Sequence, residues 1–300
     1  MKKIIIAIIA FLTAVAASAQ LLWKISGQGL EKPSYLFGTH HFAPDSILSS
    51  LDGFSDAINA SDIVMAEVDM TAAQTMQDAQ RVMLQYAKAP ADSTLSKLFS
   101  PEQLDSINSA ISYFSGNKVN IDVRGMDALK PSFVSIVIIG VQAMNPENAA
   151  KPGKKQIDTE VLRIAKQSGK EIKPLETIEQ QVQWLMGGSV ASQARMLMET
   201  VRNKDKDKNL SNELIKAYVS QDLDFIEKVF LSDEVVSDYM RTVLIDNRNA
   251  TWLQVLQREM QQHSIFVAVG AGHLVGPTGL LSSFRKNGYK LTPVVKNTNR

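Results

Sequence analysis

Two apolar, strand-forming runs, one near each end of the chain, each finish in Gly-x-x-His, and they constrain the fold more than any other feature. The first is Tyr35-Leu36-Phe37-Gly38-Thr39-His40-His41. The second is Ile265-Phe266-Val267-Ala268-Val269-Gly270-Ala271-Gly272-His273. Glycine permits a sharp turn at a strand end, which lifts the next side chain to the rim of the sheet. Rims of sheets in α/β proteins are where ligands bind. Histidines this far apart can meet only through the fold; if the two strands are neighbours, the imidazoles face one another. A third run, Asp62-Ile63-Val64-Met65-Ala66-Glu67-Val68, reads as a buried strand ending in an acid. A carboxylate there is expensive to bury unless a metal or an arginine offsets it.

The remaining pattern is asymmetric. Leu21 to Ile25 and Tyr35 to Gly38 flank a Gly- and Pro-containing turn and read as a hairpin or two adjacent strands. A helix is expected from about Ile47 to Ala60, and helices dominate from Thr71 to about Met144, where Ser100-Pro101 marks a helix start. Ile157 to Gln167 reads as a helix and Glu171 to Leu175 as a short strand. Thr177 to about Glu259 is helical again, broken by the alternating charges of Arg202 to Asn209, which read as a solvated linker. Leu274 to Lys286 reads as a helix and Tyr289 to Val295 as a last strand. The expected fold is a mixed α/β (α+β) architecture. Its central sheet is built from N- and C-terminal strands, flanked by helices, with a largely helical insertion over about 71–262. Residues 20–300 are expected to form a single domain.

Residues 1–19 are expected to be a signal peptide. Lys2 and Lys3 precede an apolar run from Ile4 to Ala16, and Ala17-Ser18-Ala19 is a small-x-small cleavage site. No later run is long and apolar enough to span a bilayer. The chain is therefore expected to be exported, periplasmic or secreted. It has no cysteine, which excludes disulfides, a thiol nucleophile and Cys-ligated metal. Lys and Arg number 32 against 31 Asp and Glu, and losing Lys2 and Lys3 moves the net charge from +1 to about −1. That balance supplies no basic field for nucleic acid.

Two neutral imidazoles and a carboxylate make a partial ligand set for a divalent transition metal, with Mn, Co and Zn not distinguished. Open positions would admit water, whose pKa the metal would lower.

The chain resembles the TraB/PrgY/GumN family, which includes the TIKI metalloproteases. The resemblance rests on the two Gly-x-x-His motifs, on Ala66-Glu67-Val68-Asp69 between them, and on Arg248-Asn249 followed by Trp252. Gly276, Gly279-Leu280-Leu281, Gly288-Tyr289 and Leu175-Glu176-Thr177 with Gln180 add to it, in family order along nearly the whole mature chain. It implies a metal-dependent, peptidase-like hydrolase. In that reading His41 and His273 bind metal, and Glu67 is a ligand or the general base. Arg248 stabilises an oxyanion or holds a substrate carboxylate, and Asn249 donates a hydrogen bond or orients a neighbour. The motif register selects His41; on an ideal strand His40 would face the other way. His40, Glu176 and Asp158 are candidates for a supporting shell, with Arg124 and Asp127 of the same grade. Asp69 reads as a helix cap and His263 as structural. The implied partner is a peptide or small-molecule substrate.

Two alternatives stay open. One is a metal-independent, esterase-like hydrolase with a histidine base, an arrangement similar to that of erythromycin esterases. The other is a non-catalytic exported protein that binds metal, haem or peptide.

Overall fold

A computed structural model describes residues 20–143, 145 and 156–295. The expected leader at 1–19 lies outside the described residues. Among the described residues six strands form one mixed sheet: β1 (Leu22–Ser26), β2 (Ser34–Thr39), β3 (Ile63–Ala66), β4 (Glu171–Pro174), β5 (Ile265–Gly270) and β6 (Lys290–Pro293), in the order β4-β3-β5-β2-β1-β6. β4, β3, β5 and β2 run parallel, whereas β1 pairs antiparallel with both β2 and β6. The mixed α/β class expected from the sequence is the observed one. The C-terminal β5 lies between β3 and β2, so the two ends of the chain are interleaved.

β3 and β5 are apolar throughout because helices cover the sheet, as parallel sheets require. In β5, Ile265 to Val269 are all buried, and β3 is buried over its full length. Phe37, Phe54 and Phe266 meet edge-on or tilted, with ring centroids 5.2–6.2 Å apart. Each buried side chain of this size contributes roughly 1.5–3 kcal/mol.

The helices are α1 (Ile47–Ser50), α2 (Phe54–Ala60), α3 (Ala73–Ala87), α4 (Leu95–Leu98), α5 (Pro101–Phe114), α6 (Pro131–Ala143), α7 (Ile157–Gln167), α8 (Ile178–Leu185), α9 (Val190–Arg202), α10 (Lys204–Val219), α11 (Leu223–Phe230), α12 (Asn247–Met260) and α13 (Leu280–Lys286). A second apolar cluster joins α5, α6 and α9, including Phe114, Ile107 and Leu197. It is separate from the cluster around the sheet. Much of the insertion therefore packs on itself, and α7, α10, α11 and α12 supply its contacts with the sheet core.

Several expectations are corrected. The helix expected over Ile47 to Ala60 is two helices, separated at Leu51 to Gly53. The alternating charges after Arg202 are not a linker but the first turns of α10. Asp205 and Asp207 sit in its first turn, where the helix dipole favours acids. Asp205 also accepts the Tyr113 hydroxyl at 2.5 Å, and Lys204 and Lys208 lie over the same ring. The last helix begins at Leu280, not Leu274, because Pro277 disfavours helical geometry in the residue before it. Asp69 does not cap α3. It accepts the backbone N–H and hydroxyl of Thr71 in a local turn.

Candidate active site

Four neighbouring parallel strands each deliver one polar side chain just beyond the C-terminal end. In sheet order these are Glu176 after β4, Glu67 after β3, His273 after β5 and His41 after β2. This edge is the one α/β sheets use for ligands. Two helices complete the group: α12, which leads into β5, carries Arg248 and Asn249, and α7, which leads into β4, carries Asp158.

Arg248 is the hub and is buried. Its Nη2 donates to Glu67 Oε2 at 2.5 Å and to Glu176 Oε1 at 2.7 Å, and its Nε donates to Glu176 Oε2 at 3.1 Å. Its Nη1 reaches His273 Nε2 at 3.1 Å and the Leu244 carbonyl at 3.0 Å. Leu244 belongs to a π-helical segment, Met240–Asp246, just before α12. Such wider turns recur at functional sites. The guanidinium is 4.5 Å from the Trp252 ring centroid and 5.6 Å from that of Trp184.

Hydrogen bonding determines the tautomer of His273. The Asn249 amide nitrogen donates to the carbonyls of His273 and Thr278, which turns Asn249 Oδ1 toward the ring. His273 Nδ1 is 2.8 Å from that oxygen and so carries the proton. Nε2 is then a lone pair, and it accepts from Arg248. Burial holds the ring's pKa down to about 3, with the Arg248 charge adding to the effect. The imidazole is neutral.

His41 is arranged in the same way with a different partner. Its Nδ1 is 2.6 Å from Asp158 Oδ2, and Asp158 Oδ1 accepts the Thr39 hydroxyl. The Asp158 charge and this hydrogen bond raise His41 to about 9. The side chain is 62% exposed along the cavity wall. Solvent therefore screens the pair, and it contributes little to stability. Near neutral pH the ring is therefore protonated, and its Nε2 becomes a lone pair at the cavity only when that proton leaves.

Glu67 Oε1 accepts the Gly270 backbone N–H at 2.8 Å and lies 3.9 Å from His273 Nε2; Oε2 also accepts Gln181 at 3.3 Å. Burial opposes its charge, but the Arg248 guanidinium and the Gly270 N–H hold the carboxyl below the ordinary range. Glu176, which also accepts from Gln181, is pushed up by burial against the pull of Arg248.

Two glycines have steric reasons. A Cβ on Gly38 would come within 3.1 Å of the Ala271 backbone, and one on Gly272 would strike the Phe230 ring at 2.4 Å. The two Gly-x-x-His turns therefore pack against each other and against α11.

His41, Glu67, Arg248 and His273 line one cavity of about 530 Å³. A second, of about 170 Å³, opens on the other side of His41, Glu67 and Arg248 and is lined by Gln181, Trp184 and Leu185. The strand-alternation argument for His40 fails because β2 ends at Thr39. His40 lines the larger cavity too, but its Nδ1 accepts the Phe42 N–H, its ring packs on Tyr218 5.4 Å away, and burial lowers it to about 4. Arg124 is spent on Asp105 and Asp122, and Asp127 accepts from Ser96. Neither lines the cavities around Glu67. Sequence reasoning missed Gln181 and Thr39. Gln181 sits one residue beyond the Gln180 that completes the Thr177 capping box, and Thr39 lies inside the first motif. Nothing in either residue type marked it.

The donor types suit a divalent transition metal: two imidazoles with Nδ1 held by Asp158 and Asn249, and a carboxylate between them. The arrangement fits less well. Among the described residues no group of three His, Cys, Asp or Glu side chains converges to hold an ion. Arg248 meanwhile occupies both Glu67 Oε2 and His273 Nε2.

No curated protein and no solved structure is similar enough to match this chain. The profile of the TraB/PrgY/gumN family matches residues 21–293. That span includes every strand of the sheet and every residue of the site, and the chain belongs to the TraB/PrgY/gumN family.

Proposed function

We propose that this chain is an exported hydrolase of amide or ester bonds, peptidase-like in the version its family resemblance implies, that takes a divalent transition metal at His41, Glu67 and His273. One observation carries the reading: both histidines commit Nδ1 to a fixed acceptor, leaving Nε2 at a cavity shared with an ionised carboxylate. Metal-binding histidines are oriented in this way. A bound ion would lower the pKa of water and polarise the substrate carbonyl. The chain's own groups supply the rest. Arg248 presents a guanidinium beside the cavity, where developing negative charge on a carbonyl oxygen would be stabilised. Glu67 is the acceptor for the proton of the attacking water. Gln181 and Gly270 hold its carboxylate in place. Export is supported by the Lys2-Lys3, apolar-run and Ala17-Ser18-Ala19 pattern.

A second reading is favoured by Arg248 itself. Because the guanidinium already bridges Glu67 and His273, the site also suits hydrolysis without metal, with His41, once deprotonated above about pH 9, as base and Asp158 orienting it. Elemental analysis of the native protein, beside His41→Ala and His273→Ala, separates the readings. The metal proposal expects bound metal in the native protein, its loss in both variants, and activity abolished by chelation. Equal activity with and without chelator would establish the second reading, and no hydrolysis of any amide or ester would remove both.

A further inference from the structure

The larger cavity has two chemically different ends. At the sheet edge stand His41, Glu67, Arg248 and His273. The opposite wall is made by α10, α11 and the π-helical segment, and it presents Leu210, Leu214, Ile226, Phe230, Met240 and Ile245. Leu210 and Leu214 are one helical turn apart on α10, and Ile226 and Phe230 one turn apart on α11, so each helix turns one apolar stripe inward. The polar side chains on this wall are Asp207 and Ser211. Among the described residues it carries no lysine or arginine besides Arg248. The volume of about 530 Å³ falls in the range of small-molecule sites, and an apolar lining with a few convergent polar groups is their usual build. At the rim, Ile139 and Val235 remain 50% and 38% exposed, apolar surface that an occupant would cover.

We infer that the substrate's reacting carbonyl bears an uncharged hydrocarbon acyl group, seated between α10 and α11; the inference rests on the hydrolase reading above. A peptide chain laid along this wall would carry an N–H and a C=O at every residue. The wall offers two polar side chains to meet them, and the helix backbones are hydrogen-bonded internally. A hydrocarbon makes no such demand.

The test uses the full chain with p-nitrophenyl acetate, butyrate, hexanoate and octanoate. The expected kcat/KM rises about fourfold for each methylene buried. Leu210 is only partly buried, so Leu210→Asp is expected to fold; it should lower the octanoate-to-acetate ratio by tenfold or more. A flat series, or a ratio that Leu210→Asp leaves unchanged, would overturn the inference while the hydrolase reading stood. If no ester is cleaved, displacement of 11-(dansylamino)undecanoate decides. Octanamide displacing at least a hundredfold more strongly than acetamide, with the preference lost in Leu210→Asp, supports the acyl site although the hydrolase reading has failed. No preference for octanamide refutes the acyl site.

Discussion

Arg248 is the side chain this site can least spare. Its guanidinium stands between two carboxylates, the buried Glu176 and the half-buried Glu67. Removing the cation from such a group leaves uncompensated buried charge, a cost of about 3–5 kcal/mol. Arg248→Ala is therefore expected to lower the urea-unfolding free energy by that amount, and the double variant Arg248→Ala with Glu176→Gln to recover part of it. Turnover should fall in both while metal, where present, is retained; loss of the metal would show that Arg248 acts by building the metal site. Asn249 works through another residue. It fixes His273 with Nδ1 protonated and Nε2 as the acceptor that faces Arg248. Asn249→Ala should reduce metal affinity or kcat by about 10–100-fold, with the fold intact by circular dichroism. An unchanged Kd for metal together with an unchanged kcat would reject that role.

At the scale of elements, the site depends on how strands end and start. Gly272 lies against the Phe230 ring, so Gly272→Ala forces that ring, part of the acyl wall, to move. A destabilisation of about 1–3 kcal/mol is expected, as for other overpacked sites, and thermal unfolding measures it. At the opposite edge of the sheet, Asp62 Oδ2 accepts the Ser264 N–H at 2.8 Å and Asp62 pairs with Lys32, tying the start of β3 to the start of β5. The Ser264 hydrogen bond, then Lys32, hold its carboxyl below the usual range. A depressed carboxyl pKa stabilises the fold above the unfolded-state value and loses that contribution as pH falls through the folded one. Asp62 is well exposed, so screening keeps the effect small. Asp62→Ala is expected to cost under about 1 kcal/mol at pH 7, and the difference from wild type should close below about pH 4. The capping box of α5 is a third check. Ser100 accepts the Gln103 N–H while Gln103 reaches back to the Ser100 N–H, and Ser100→Ala should cost about 1 kcal/mol.

For the whole molecule, metal removal is the global probe. An ion bound only by the folded state raises its stability by mass action. Chelation of the native protein is expected to lower Tm, and His41→Ala or His273→Ala should make Tm insensitive to chelator. An identical Tm with and without chelator in the wild type would count against a resident metal.

Much of this architecture was legible along the chain because local pattern reflects local physics. The β-branched runs at Ile63 to Ala66 and Ile265 to Val269 announced buried strands, and the two Gly-x-x-His turns announced where chemistry could sit. Ser100-Pro101 marked a helix start correctly. The reading failed where neighbours in space overruled neighbours in sequence. The charges of Lys204 to Lys208 resemble a linker until Tyr113 packs against them. His40 and His41 alternate on an ideal strand, but β2 stops at Thr39. By itself, then, the sequence determined the strand and helix types, the motif histidines and the acid between them, since propensity and periodicity are properties of adjacent residues. Only the tertiary structure decided that β5 inserts between β3 and β2, that Arg248 bridges Glu67, Glu176 and His273, and that Gln181 and Asp158 complete the group. Those outcomes depend on register and long-range packing, which no stretch of adjacent residues encodes.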